Sequence, residues 1–230
     1  MPSQSSLPLN TWGGRRKGAG RQPSGKNPAP HRARLALQRR FPVHVTLKAS
    51  PGLPSLRNRR VYRAIHHAFA AACDRFAARI VHFSVQSNHI HLLMEADDEA
   101  ALSRAMRGLT IRLARTLHDE LGSSGPVFPE RYHVRILKTP LQVKRAVAYV
   151  LNNLARHRGL FPLQDAKPQV DPCSSAVYCK VYRCPVVKPP PLPGPPPVAP
   201  PQTWLLREGW WRKHGYIAPD DIGARYKAPK

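Results

Sequence analysis

The sequence predicts an α+β domain of ferredoxin-like type, an antiparallel sheet carrying helices, with a disordered basic arm before it and a proline-rich tail after it. Three observations support this reading. Short segments near residues 41–47, 80–85, 89–94 and 131–137 alternate with the period of two that a half-buried strand requires. Longer segments over 57–77, 98–121 and 140–154 place apolar residues at helical spacing. Their order is strand–helix–strand–strand–helix–strand–helix, which suits an antiparallel sheet with helices packed on a face.

Taken in order, residues 1–40 form the arm. Arg15, Arg16, Lys17, Arg21 and Lys26 are interleaved with glycine, and no acidic residue precedes Asp74. Such a segment buries too little apolar surface to order itself. Its expected role is contact with nucleic-acid phosphates, with a merely solvated tail as the alternative. In the first strand Val43, Val45 and Leu47 face one side, and His44 and Thr46 the other. Pro51-Gly52-Leu53-Pro54 is a turn. Val61, Ile65, Ala68, Phe69, Ala72 and Phe76 then predict an amphipathic helix over 57–77 that includes Cys73, with His66 and His67 as surface or boundary histidines. The strand over 80–85 is expected to turn Val81, Phe83 and Val85 inward and to form a hairpin with the next. His82 and Ser84 would then share the open face of that hairpin.

Asp97 or Asp98 caps a second helix, whose core stripe is Leu102, Met106, Leu109, Leu113 and Leu117 and which Gly122 ends. Arg104, Arg107, Arg112 and Arg115 lie off that stripe, as a DNA-facing surface or a solvated one. In the fourth strand Tyr132, Val134 and Ile136 alternate with His133, Arg135 and Leu137, and Arg131 at its start is a further candidate for DNA contact. Thr139 as N-cap and Pro140 at the first helical position open a third helix with Val143, Val147, Val150, Leu151 and Leu154 on its apolar face. Tyr149 and Asn153, four apart, stack on one face of it. The main domain is expected over 41–160, and a Cys-containing, proline-rich linker over 161–202, extended and polyproline-like at 185–201. A Trp-rich basic tail follows over 203–230. Its Trp210 and Trp211 either stack on bases or brace the domain.

Composition narrows the partner. The formal net charge is +24 and the sequence pI is 11.0. Solubility needs far less, so a polyanion, most simply nucleic acid, is implied. Cys73, Cys173, Cys179 and Cys184 fit neither a secreted disulfide framework nor a zinc signature. The polar, Arg-rich start has no apolar signal core, and no stretch approaches the roughly 18 apolar residues of a membrane span. A reducing cytoplasm is expected and no membrane partner.

The chemistry centres on Val85-Gln86-Ser87-Asn88-His89-Ile90-His91-Leu92-Leu93-Met94. Alternation sends Ile90, Leu92 and Met94 into a core and projects His89 and His91 together from the other face. Two imidazoles held that way are a ready metal pair. Two incidental surface histidines are the bland alternative, and Tyr149 with Asn153 further along weighs against it.

Together, Asn88-His89-Ile90-His91-Leu92-Leu93 and Tyr149-Val150-Leu151-Asn152-Asn153 resemble the two motifs of the HUH (His-hydrophobic-His) nucleases. Within them the pattern is similar to single-tyrosine insertion-sequence transposases, and specifically to the REP-associated tyrosine transposases. The runs Phe41 to Thr46 and Phe128 to Arg135 add to the likeness, which covers about residues 40–160. Leu154 departs from it, since the family more often has proline there.

The resemblance implies an HUH endonuclease fold and a bacterial, nucleoid-associated cytoplasmic protein. It implies that Tyr149 attacks a phosphodiester in single-stranded or hairpin DNA of REP-like repeats, giving a 5′-phosphotyrosine and a free 3′-OH. His89 and His91 would hold one divalent metal, Mg²⁺ or Mn²⁺, with Asn153 as a third, oxygen ligand. The chain would act as a monomer or homodimer. Tyr132 is the rival nucleophile, lacking a following Asn or Gln on a helix, and with Phe128 it is expected to pack in the core or stack on a base. The competing readings are a domesticated hairpin-binding protein that cuts nothing, and more weakly a rolling-circle initiator. The intact His89, His91, Tyr149 and Asn153 set favours the enzyme.

Overall fold

The computed structural model describes residues 36–153, 168–221 and 226–229. The chain divides into two units, Met1–Arg34 and Leu35–Lys230, and all described residues belong to the second. Arg15, Arg16, Lys17 and Arg21 lie outside the described residues. The packed chain begins before residue 41, because Leu37 already joins the core.

The strands are β1 (Val43–Lys48), β2 (Asp74–Arg75), β3 (Ala78–Val85), β4 (His89–Ala96) and β5 (His133–Ile136), and they form one antiparallel sheet in the order β2-β3-β4-β1-β5. Two helices, α1 (Arg59–Ala70) and α2 (Glu99–Leu121), pack on one face. The fold is therefore the expected α+β sandwich. Local chemistry sets its boundaries. Asn58 accepts from Arg60 N to start α1, Asp98 accepts from Ala101 N to start α2, and Gly122 ends α2 in the left-handed region at φ 58°. Among the described residues no helix is long and apolar enough to cross a membrane.

His66, expected at the surface or its boundary, is buried on α1 with its Nε2 2.6 Å from Tyr178 Oη, and the bounds or facing of two elements also need correction. The first helix stops at Ala70 rather than running to 77, because Asp74 and Arg75 turn back to pair with Arg79 and Ala78. Cys73 therefore lies beyond the helix. Phe76 and Ala77 form the two-residue turn with φ of 59° and 56°, the positive-φ geometry that suits a tight hairpin. Phe76 is thus exposed at a turn instead of buried in a helix. In β3 the register shifts between Ile80, opposite Met94, and His82, opposite Leu93. The bulge turns Val81 toward the second face, while Ile80, Phe83 and Val85 face α1 and α2.

The second face is covered by α3 (Pro140–Leu151) and by residues beyond 168. A π-helical turn, Leu205–Gly209, leads into a short helix α4 (Trp210–His214) that packs beside α3. The proline-rich stretch is no free spacer. Ala199 N donates to Ile80 O at 2.8 Å and Val85 N to Cys173 O at 2.8 Å, so this segment closes the outer edge of β3. Arg57 clamps it from the other side, donating to both Asp171 carboxylate oxygens at 2.9 and 2.6 Å and to Val85 O at 2.8 Å. Buried Glu95 on β4 accepts from Gln202 N, Thr203 N and Thr203 Oγ1 at 2.7–2.8 Å, anchoring the approach to α4.

Two stability measurements follow. Arg57→Met leaves the buried Asp171 carboxylate without its partner and is expected to cost about 3–5 kcal/mol by urea unfolding; a loss under about 1 kcal/mol would mean that the clamp is slack. His82 is buried beside Ser175, and burial pushes its pKa from 6.5 down to about 4. Its contribution is intact above pH 6.5, declines as the unfolded chain takes up the proton, and levels off below about 4. That span corresponds to about 3 kcal/mol. Subtracting the stability of His82→Gln from that of the wild type should give a difference that is flat above pH 7 and falls toward pH 4. A pH-independent difference would contradict the assignment.

Candidate metal and nucleophile site

Central strand β4 sets the geometry. Ile90, Leu92 and Met94 enter the α1/α2 core, while His89 and His91 project from the other face with ring centroids 4.7 Å apart. On neighbouring β1, His44 pairs with Leu93 and Thr46 with His91. On β3, His82 pairs with Leu93 and Ser84 with His91, so both share this face as expected. On β5, Arg135 pairs with His44 and His133 with Thr46.

Helix α3 crosses this face. Thr139 caps it, accepting from Gln142 N at 3.2 Å, and Val143, Val147, Val150 and Leu151 bury its apolar side with Leu93 and Val81. Leu154 lies outside the described residues. Near the end of α3, Tyr149 stands edge-on to His91 with centroids 5.2 Å apart, and 5.9 Å from His44. The histidine pair and the tyrosine, read separately from the sequence, thus meet at one place. Asn153 is not on the same continuous helix as Tyr149, since α3 ends at Leu151 and Asn152 is its cap. Its side chain is buried, and neither Oδ1 nor Nδ2 has a hydrogen-bond partner among the described residues. A buried amide oxygen of that kind suits a cation ligand, because leaving it unpaired is costly.

The ring nitrogens are sorted. His89 Nδ1 lies 2.8 Å from Asn88 Oδ1. His91 Nδ1 lies 3.1 Å from His44 Nε2 and 3.3 Å from Thr46 Oγ1. With Nδ1 engaged in both rings, Nε2 is the nitrogen suited to a metal. Imidazole nitrogens and an amide oxygen are donor types that suit a divalent cation of borderline hardness.

Sequence reasoning missed three members of this neighbourhood. His44 is fully buried, and burial, with Arg135 adding to it, pushes its pKa down to about 3. Its Nδ1 lies 2.8 Å from the hydroxyl of Tyr226, whose ring stacks on it and sits 5.5 Å from Tyr149. Asn152 donates to Ala218 O at 2.8 Å and to Asp221 O at 2.7 Å, and accepts from Tyr182 Oη at 2.8 Å, fastening the end of α3. His44 carried a signal, since alternation put it opposite Val43 and Val45. Asn152 lay inside the quoted tyrosine motif without a role of its own, and nothing local marked Tyr226.

The remaining candidates are spread out. Arg104 and Arg107 are exposed on α2, on the far side of the sheet from His91, and Arg131 is exposed before β5. Trp210 is 2% exposed and packs in the core beside α3, its Nε1 donating to Leu206 O. It is a brace, so the alternative in which it stacks on bases is set aside. Trp211 is partly buried and stacks on Tyr216. Tyr132 and Phe128 pack against the α1/α2 core, on the opposite face from Tyr149.

Residues 44–153 match the family model described as transposase IS200 like. Among solved structures, a REP-associated tyrosine transposase bound to a REP hairpin matches with a TM-score of 0.50 and 14% sequence identity, covering 65% of this chain and 84% of that one. Likeness at that identity concerns the fold. No curated protein matches the chain in sequence.

Because Asn152 alone ties the end of α3 to two distant carbonyls and a tyrosine, Asn152→Leu should cost about 2–3 kcal/mol in urea unfolding. A variant as stable as the wild type would show that α3 is held by its apolar side alone.

Proposed function

Residues 44–153 belong to the IS200-like transposase family, and from that premise we propose that the chain nicks and rejoins single-stranded or hairpin DNA, with Tyr149 as nucleophile. The observation that carries this is the Tyr149 ring placed edge-on to His91 at the end of α3. The net charge of +24 suits a polyanionic substrate. A hairpin is the substrate class suggested by the relative bound to a REP hairpin.

In the proposed reaction the phenolic oxygen of Tyr149 attacks the scissile phosphorus. The Oη–P bond forms and the P–O3′ bond breaks. The phenolic proton is lost, and the departing 3′ oxygen takes up a proton. The product is a 5′-phosphotyrosine with a free 3′-OH, and its phenol is a good enough leaving group for a 3′-OH to reverse the step without ATP. His89, His91 and Asn153 would hold one Mg²⁺ or Mn²⁺. When bound, that ion polarises the phosphate and stabilises the charge on the leaving oxygen. Asn88 orients the His89 imidazole, and the anchored end of α3 presents the phenol beside the two histidines. His133 and Arg135 on β5 extend the same face as a polar, basic floor.

The test is formation of a covalent protein–DNA band on a denaturing gel, using labelled hairpins with single-stranded flanks in Mg²⁺ or Mn²⁺. The expected result is a band in the wild type and in Tyr132→Phe, absent from Tyr149→Phe and His89→Ala. A band that persists in Tyr149→Phe would remove the nucleophile. Hairpin binding with no band on any substrate would favour a binding protein that does not cut.

A further inference from the structure

The hydrogen bonds around His91 single out a residue outside the metal-ligand and nucleophile set. Asn88 Oδ1 can only accept, so it holds His89 with the proton on Nδ1 and the lone pair on Nε2. His91 needs the same arrangement to act as a ligand through Nε2, but its Nδ1 faces His44 and Thr46. The Thr46 contact, at 3.3 Å, is longer than a good N–H···O bond, whereas the His44 contact, at 3.1 Å, falls within the usual range. His44 is therefore the main partner. It is fully buried on β1, and its own Nδ1 meets Tyr226 Oη at 2.8 Å.

A neutral imidazole donates from one nitrogen and accepts at the other. The row Tyr226–His44–His91 can thus run in two directions. If Tyr226 donates to His44, then His44 donates to His91 and leaves the His91 proton on Nε2, where it blocks ligation. If His44 donates to Tyr226, then His44 accepts from His91 Nδ1–H, and Nε2 carries the lone pair. We propose that His44, oriented by Tyr226, is the positioning residue of the metal site, holding His91 in the Nδ1–H tautomer before any ion binds. This rests on the metal-dependent reading given above. It assigns a role to a β1 side chain and to a tyrosine from the end of the chain, neither of which is a ligand or the nucleophile.

The experiment has two arms on the full chain. In the first, Mn²⁺ affinity is measured by electron paramagnetic resonance. His44→Ala should weaken binding about 10–100-fold, the range for removing the orienting partner of a ligating histidine. His44→Gln, whose amide oxygen can still accept from His91 Nδ1–H, should recover most of the loss. A merely structural role would not distinguish the two variants at equal thermal stability. In the second arm, ¹⁵N shifts of the His91 ring are recorded without metal. The wild type should show Nδ1–H, and Tyr226→Phe should shift the ring toward a mixture of tautomers. Unchanged Mn²⁺ affinity in His44→Ala, an Nε2–H tautomer in the wild type, or no change of tautomer in Tyr226→Phe would overturn the proposal. If the wild type bound no Mn²⁺ at all, the metal reading would fall, and the ring shifts would still decide what His44 does.

Discussion

The burial of a polar face on central strand β4 is the constraint on which the rest of the structure depends. Half of its side chains, Ile90, Leu92, Met94 and Ala96, enter an ordinary apolar core. The other half, from His89 through His91 to Glu95, points at a second layer that excludes water from all but the first of them. A buried donor or acceptor without a partner costs about 1–3 kcal/mol. Each polar group on this face therefore has to be met by a group brought from elsewhere. His44 and Thr46 on β1 answer His91. Thr203 and the backbone N–H of Gln202 answer Glu95.

Much of the answer comes from the end of the chain. Ser175 meets His82, Tyr226 meets His44, and Asp171 meets Arg57. The carbonyls of Ala218 and Asp221 meet Asn152. These residues lie beyond the stretch that matches the transposase family. In a chain confined to that stretch, several buried polar groups would be left unmatched, and the outer edge of β3 would be open. The C-terminal segment thus belongs to the folded unit, and α3 keeps its angle across the sheet because both its apolar side and its terminal Asn152 are held.

How much of this could be read in advance follows from the range of each interaction. Alternation and helical spacing are local, and they located β1, β4, β5, α2 and the start of α3 closely. The split of β4 into a core face and a histidine face needed only the pleat. The errors arose where a tertiary contact overrides a local pattern. Ala72 and Phe76 continue the helical spacing, yet the pairing of β2 with β3 stops α1 first. Val81 follows the alternation, yet a bulge turns it over. Trp210 is buried although its neighbourhood is basic, because α3 offers an apolar groove that no local pattern displays. The site showed the same division. The meeting of His89, His91 and Tyr149 was legible through two short motifs, whereas the contact of His44 with His91 depends on sheet register, and that of Tyr226 with His44 on a fold-back spanning most of the chain.

Three phenols follow the histidine strand closely enough in the sequence or in space to be considered as the nucleophile, and their surroundings separate them. Tyr132 packs on the α1/α2 side of the sheet, with the sheet between it and His91. Tyr226 lies on the correct side, but it is buried, its hydroxyl is engaged by His44, and burial pushes its pKa up against the opposing effect of Arg135. Forming its phenolate is therefore unfavourable, and a phosphate would have to displace both the ring and the hydrogen bond. Tyr149 is only half-buried and touches the same histidines from a helix end fixed by Asn152. An attacking group must be rigidly placed and still reachable by a DNA strand. Of the three, the half-buried Tyr149 best suits the proposed role of nucleophile, while the buried phenol beside it is hydrogen-bonded to His44.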